Sequence, residues 1–303
     1  MAITGPVGFV GLGNIGSPMA RHVLGGGYPL VVYDLRPEAV ARLAAAGAEA
    51  ADSPRAVAQR CRHILLSLPT SAQVEAVCLG PDGIVHGAAP GTVVLDLTSG
   101  QPSATVRIAE ALAERGIHML DAPVAGGVVG AEEGSLAVMV GGDQALFEHY
   151  RPLLGTFGRH LLHMGPIGSG HLTKSLNNFL LAVGFLATAE ATVVATKAGL
   201  DPARLLEVIQ AGSGRNFSTE RRFPMFVMKR DFSPRGGMTI ELLHKDVQIA
   251  TTAGREQSVP MPIAHLIQQL IAVGMAELGS GTPNQSLVKL YERWAGVEVG
   301  GAP

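Results

Sequence analysis

Cysteine is scarce in this chain, with two in 303 residues, Cys61 and Cys78. Two thiols cannot build a disulfide framework, and Cys61 sits beside an apolar run. Both are expected to be reduced, packed thiols of a cytoplasmic protein. Charge is sparse as well. Only 16% of residues are charged, and the 23 basic and 25 acidic side chains are spread along the sequence, so no basic run could track a phosphate backbone. Nucleic acid is not an expected partner, and no metal cluster is visible. The N-terminal "MAITGPVGFVG" lacks the basic start and apolar stretch of a signal peptide. The longest greasy segment, 179–189, is broken by Glu190 and falls short of the ~20 apolar residues of a membrane span. A soluble, untargeted protein without membrane attachment is expected.

What the chain does have is apolar content, 47% of its residues, in a length that suits two domains with large cores. Short β-branched runs at 7–10, 30–34, 63–68, 92–96, 118–121 and 136–140 alternate with helical windows. That alternation implies parallel strands joined by crossover helices. "PEAVARLAAAG" at 37–47 has proline in its first turn and glycine at its end, and "QPSATVRIAEALAERG" repeats that grammar. After about residue 163 the strand signals fade. The expected division is an α/β domain over 1–163, a connecting helix over 164–196 and an all-helical C-terminal domain over 197–303. "GSGRNFSTERRFP" and "RDFSPRGGMT" read as loops, and "GVEVGGAP" as a loose tail.

The α/β domain carries a phosphate-binding signal. "VGFVGLGNIGSPMARHV" places Gly11, Gly13 and Gly16 in the G-x-G-x-x-G spacing, directly after a strand and opening a helix. Gly11 permits a tight turn, Gly13 the approach of a pyrophosphate and Gly16 close packing of helix on strand. The helix start at Asn14 and Ile15 attracts the phosphates. Asp34 ends the second strand, 18 residues after Gly16, where a carboxylate accepts the ribose hydroxyls and repels a 2'-phosphate. NAD is favoured on this reading. Arg36, two residues on, would tolerate that phosphate, so NADP stays open.

A second signal lies in "GSGHLTKSLNNFLLAVGFLATAE", residues 168–190, a helix that is apolar nearly all round except at its start. Lys174, Asn177 and Asn178 stand at i, i+3 and i+4 with His171 one turn earlier, so they form a polar patch. An ammonium in such surroundings loses hydration, which moves a lysine toward the range useful for proton transfer. Either asparagine would serve equally as a cap for a neighbouring loop.

Together, "GFVGLGNIG", "DAPVAGG", "GSGHLTKSLNN" and "HKD" resemble the β-hydroxyacid dehydrogenases, the family of 3-hydroxyisobutyrate dehydrogenase and tartronate semialdehyde reductase, related to 6-phosphogluconate dehydrogenase. The resemblance covers nearly the whole chain. It implies a Rossmann domain, a long connecting helix and an all-α C-terminal domain, assembled as a homodimer or homotetramer. It also implies hydride transfer between a nicotinamide and a 3-hydroxy acid or its semialdehyde, with no metal. By position Lys174 is the family's acid/base and Asn177 its partner for the substrate oxygens. "DLTS" stands for the family's D-x-S-T loop, which touches substrate and nicotinamide, so Thr98 and Ser99 are its counterparts in swapped order and Ser99 is a contact of both. Leu68 and Pro69 are further cofactor contacts, Lys245 lies near the nicotinamide, and Asp246 orients it and borders the substrate.

Two positions depart from the family. "DAPVAGG" has Ala125 where a serine usually binds the substrate carboxylate, leaving Gly126 and Gly127 as backbone donors. One hydrogen bond fewer to a charged group, about 1.5–3 kcal/mol, amounts to a ten- to hundredfold loss. Met238, seven residues before Lys245, replaces a common phenylalanine and makes that wall more adaptable. Arg215 and Arg235 are candidate compensating cations, each with a surface role as the plainer alternative. Two rival readings are an imine or amine oxidoreductase of the same architecture, whose members usually replace the lysine, and a noncatalytic ligand-binding protein.

Overall fold

The apolar runs of the first half become strands because both of their faces are covered. In the computed structural model, which describes residues 3–234 and 237–301, the chain begins β1 (Val7–Val10), α1 (Gly16–Gly25), β2 (Leu30–Tyr33), α2 (Pro37–Ala44), β3 (Glu49–Ala50), α3 (Pro54–Arg60) and β4 (His63–Leu66). It continues with α4 (Ser71–Leu79), β5 (Val93–Asp96), α5 (Pro102–Ala113), β6 (His118–Asp121), β7 (Val124–Ala125), α6 (Gly127–Glu133), β8 (Leu136–Gly141), α7 (Gln144–Leu154) and β9 (Gly158–Gly165). Side chains alternate across a strand, so Phe9, Leu65 and Leu95 enter one core while Val10, Ile64, Leu66 and Val94 enter the core on the other face.

The sheet order is β3-β2-β1-β4-β5-β6-β8-β7, with β9 paired to β8. From β3 to β6 the pairs are parallel; β8 runs antiparallel to β6 and β7. The first strand starts near the middle, and the chain winds outward to β3 before returning to β4 beside β1. That reversal leaves a crevice at the carboxyl ends of β1 and β4, the usual ligand position of an open parallel sheet. This is a Rossmann-like domain followed by a long helix and a helical region.

The second half comprises α8 (Ser169–Lys197), α9 (Pro202–Ala211), α10 (Ile240–Glu256), α11 (Pro262–Leu278) and α12 (Val288–Ala295). The chain separates into two compact units, residues 1–174 and 175–303, with the division inside α8; residue 163, the expected end of the first domain, lies inside β9. Within the second unit, Phe185, Leu186 and Val193 of α8 pack with Leu206, Phe223, Leu243, Val247 and Ile271 into one core.

Three strands escaped the sequence reading. β3 and β7 are two residues long, too short for a period to show, and β9 has a single buried residue and mixes histidine with leucine. The loop expected over "GSGRNFSTERRFP" gives way to a π-helix, Ser218–Val227. The Asn216 side chain accepts from the Ser218 and Thr219 amides at 2.8 and 3.3 Å and so starts it. A wide ladder carries it past Pro224, with Met228 N–H donating to the Phe223 carbonyl at 2.9 Å. The short-segment argument against a membrane span also needs correction. At 29 residues α8 is long and apolar enough to cross a membrane, although 44% of its most apolar window is buried inside the protein.

Candidate active site

In the first unit the glycine turn has the shape that a dinucleotide requires. Gly11 has φ +95°, and a Cβ there would sit 2.2 Å from the Ser67 carbonyl oxygen at the end of β4. A Cβ on Gly16 would sit 2.1 Å from the Gly11 carbonyl oxygen, so helix and turn meet at van der Waals limits. Over Gly13, by contrast, a Cβ would meet nothing within 4 Å. Asn14 is exposed and Ile15 half-buried, and no side chain caps α1, so its first-turn amides are not committed to a side-chain cap. Tight packing beneath an open glycine suits a pyrophosphate approaching the backbone.

Asp34 follows β2 and turns back toward this turn. Its Oδ2 accepts from the Leu12 amide at 2.6 Å, and its Oδ1 from the Arg36 amide and Nε at 2.9 and 3.0 Å. Burial alone would raise this carboxyl, but the bonds from Arg36 and Leu12 outweigh it and hold the pKa below the ordinary carboxylate value. Arg36, which also donates to the Leu12 carbonyl at 3.1 Å, is tied to Asp34 rather than left as a loose loop cation.

Beyond β4, half-buried Leu68 donates its amide to Thr98 Oγ1 at 3.1 Å, and Pro69 is exposed beside it. Thr98 is buried and its own amide donates to Asp96 Oδ1 at 3.0 Å. The two hydroxyls of "DLTS" thus divide their work: Thr98 clasps the ends of β4 and β5 together, while Ser99 is half-exposed. Ala125 ends β7, paired with Ala137 of β8, and Gly126 and Gly127 follow at φ +135° and +66°. A Cβ on Gly127 would meet nothing within 4 Å, which leaves space beside these backbone donors.

Lys174 is 8% exposed on α8. His171, which the sequence groups with it in a polar patch, is buried among Asp96, Asp121 and Thr105. Sequence reasoning missed this group because its members come from four elements. Asp121 accepts from the Gly168 and His171 amides, both at 2.7 Å, so the end of β6 anchors the start of α8.

In the second unit, exposed Asn177 donates its Nδ2 to Asn178 Oδ1 at 3.1 Å. Buried Asn178 in turn donates to Asp246 Oδ2 at 2.6 Å, and Lys245 Nζ stands 3.2 Å from Asp246 Oδ1. Asp246, on α10, therefore orients the asparagine pair, a link across 68 residues that no local pattern reveals. Met238 is half-buried against the helical core, with its carbonyl accepting from Asn284 at 2.9 Å. Arg215 pairs with Glu220 at 3.1 Å on the surface, which removes it as an uncommitted cation; Arg235 lies outside the described residues. Among the described residues no group of three metal-ligating side chains gathers.

Two family models match the sequence: the NAD binding domain of 6-phosphogluconate dehydrogenase over residues 6–165, and the NAD-binding region of NADP-dependent 3-hydroxyisobutyrate dehydrogenase over 168–291. The 2-(hydroxymethyl)glutarate dehydrogenase of Eubacterium barkeri is 39% identical over 97% of both chains. The NAD-dependent L-serine dehydrogenase of Pseudomonas aeruginosa is 41% identical over 87% of this chain and 90% of its own. Among solved structures, 3-hydroxyisobutyrate dehydrogenase of Mycobacterium tuberculosis with L-serine superposes with a TM-score of 0.86 at 28% identity, covering 95% of this chain and 99% of the other.

Proposed function

The chain belongs to the β-hydroxyacid dehydrogenase family, and on that premise we propose that it is an NAD-dependent oxidoreductase in which Lys174 moves the hydroxyl proton of a small 3-hydroxy acid or its semialdehyde. When bound, the nicotinamide supplies the carbon that accepts or returns the hydride. Lys174 takes the hydroxyl proton as the carbonyl forms and returns it in the reverse direction. Asn177 holds the substrate oxygen, itself set by Asn178 and Asp246. Ser99 and the Gly126 and Gly127 amides receive the carboxylate beside Ala125; in the second unit, Met238, Lys245 and Asp246 are the residues to which the family resemblance gives substrate and nicotinamide contacts. Gly11 to Gly16, with Asn14 and Ile15, hold the pyrophosphate. Leu68 and Pro69 flank the cofactor, while Asp34 selects NAD, with NADP as the alternative.

The observation that carries this reading is a buried lysine one turn before an asparagine pair that a buried aspartate orients. We read the chain as an NAD-binding Rossmann domain over 1–163, an interdomain helix over 164–196 and an all-helical C-terminal domain over 197–303. We also assign a soluble, cytoplasmic homodimer or homotetramer.

The test follows absorbance at 340 nm with 3-hydroxyisobutyrate, L-serine, glycerate, threonate and 2-(hydroxymethyl)glutarate, with NAD and NADP in parallel. Turnover of at least one acid is expected. Lys174→Ala should abolish it while NADH still binds; an alanine variant that keeps wild-type turnover removes Lys174 from the chemistry.

A further inference from the structure

The buried group around His171 does no work in the mechanism above, yet its geometry is closely defined. Its Nε2 lies 3.8 Å from Asp96 Oδ2 and its Nδ1 3.9 Å from Asp121 Oδ2. Nδ1 also lies 2.7 Å from Thr105 Oγ1. The Thr105 hydroxyl donates to the Gln101 carbonyl at 3.0 Å, so it accepts from the ring, and Nδ1 carries the proton. Nε2 is buried without a hydrogen-bond partner. On its other side the ring touches the 96–100 segment, since a Cβ on Gly100 would fall 2.8 Å from Cε1 and 2.9 Å from Nδ1.

A buried ring nitrogen without a partner is costly. A leucine would fill such space without that cost. What a leucine cannot do is donate to a hydroxyl on α5 while standing against the carboxyl groups of two different strands. The groups facing the ring are Asp96, Asp121 and Thr105, with the Ser71 hydroxyl beside Gly100 and the buried Cys78 thiol beside Asp96. Burial pushes the Asp96 carboxyl up, and the imidazole opposes that shift.

We propose that His171 is a positioning residue for the reaction: its buried ring fixes the 96–100 segment, which carries Ser99, against the first turn of α8, which leads into Lys174. The Asp96 carboxylate accepts from the Thr98 amide on Oδ1, and the ring packs against its Oδ2 at 3.8 Å. The α8 start is held by Asp121. His171 therefore sets the spacing between the hydroxyl that receives substrate and the amine that moves its proton. This rests on the roles given above to Ser99 and Lys174.

The experiment compares His171→Leu, His171→Asn and Thr105→Val with the wild type. Asparagine keeps an N–H where Nδ1–H stood. His171→Leu should lower kcat per folded site roughly tenfold or more, because catalysis is sensitive to sub-ångström misplacement, with unchanged NADH affinity. His171→Asn should recover most of the rate, and Thr105→Val should shift kcat in the same direction as the leucine variant. Equal kcat per folded site in the leucine and wild-type proteins overturns the proposal, as does an asparagine variant no better than leucine. Amide hydrogen exchange supplies a readout without substrate. Exchange over 97–101 should quicken by roughly tenfold in His171→Leu while 11–16 stays protected, and unchanged exchange at 97–101 overturns the idea. If His171→Leu does not fold, Thr105→Val is judged by the same two readouts. A protein inert toward every hydroxy acid sinks the dehydrogenase reading alone, since the exchange data still judge His171.

Discussion

Both oxygens of Asp34 are engaged before any cofactor arrives, one by the Leu12 amide and the other by Arg36. Its folded pKa lies below the ordinary value. A carboxyl depressed in this way adds stability that is complete above the ordinary carboxylate range and is lost as pH falls through the folded value. Asp34→Asn should therefore lose less Tm than the wild type as the buffer is taken from about pH 6 to pH 3. The same variant removes the charge that repels a 2'-phosphate. Its NADP-to-NAD ratio of kcat/KM should rise about tenfold, the worth of roughly 1.4 kcal/mol of repulsion relieved. An unchanged ratio would take cofactor choice away from Asp34. At the end of β7, Ala125 allows the converse test. Ala125→Ser adds one hydroxyl at the end of β7, and a hydrogen bond to a carboxylate of about 1.5–3 kcal/mol should lower KM for the preferred hydroxy acid ten- to hundredfold. A higher KM would mean that the pocket uses the space rather than the bond.

The turn between β1 and α1 makes a prediction about an element as a whole, because its glycines serve different ends. Gly16→Ala forces a Cβ to 2.1 Å from a backbone oxygen, so the free protein itself should be destabilised, visible as a lower Tm without cofactor. Gly13→Ala adds a methyl to open space. It should leave that Tm nearly unchanged and yet weaken NADH binding in a fluorescence titration. Equal losses of Tm in the two variants would mean that the turn is only structural. This turn was legible from sequence because close backbone approach requires glycine at fixed intervals, and Asp34 was legible because it ends the next strand. His171 was not. From its own helix it reads as part of a polar patch, and the residues that bury it, Asp121 and Thr105, lie 50 and 66 positions away. Asn178 and Asp246 were each singled out in the sequence, but the bond between them was opaque for the same reason, whereas the π-helix was hidden by the proline that it accommodates.

At the scale of the whole molecule, the second unit carries exposed apolar side chains in rows along two of its helices. Leu176, Leu180 and Val194 of α8 are 39%, 65% and 67% exposed, and Ile263, Leu266 and Val273 of α11 are 59%, 61% and 38% exposed. On α11 the spacing of three and seven residues places them along one side of the helix, opposite the buried Ala264, Ile267 and Ile271. Single exposed leucines are ordinary, whereas rows of them along a helix offer a surface for another chain to cover. A second copy of this chain is the occupant proposed, in keeping with a homodimer or homotetramer. Light scattering coupled to gel filtration should then report two or four times 31.4 kDa. Replacing Leu180 and Leu266 together by glutamate places charges in that surface, and the double variant should elute as a monomer with its Rossmann unit still able to bind NADH. A wild-type protein that is monomeric at the concentrations of the assay would leave these rows to some other partner.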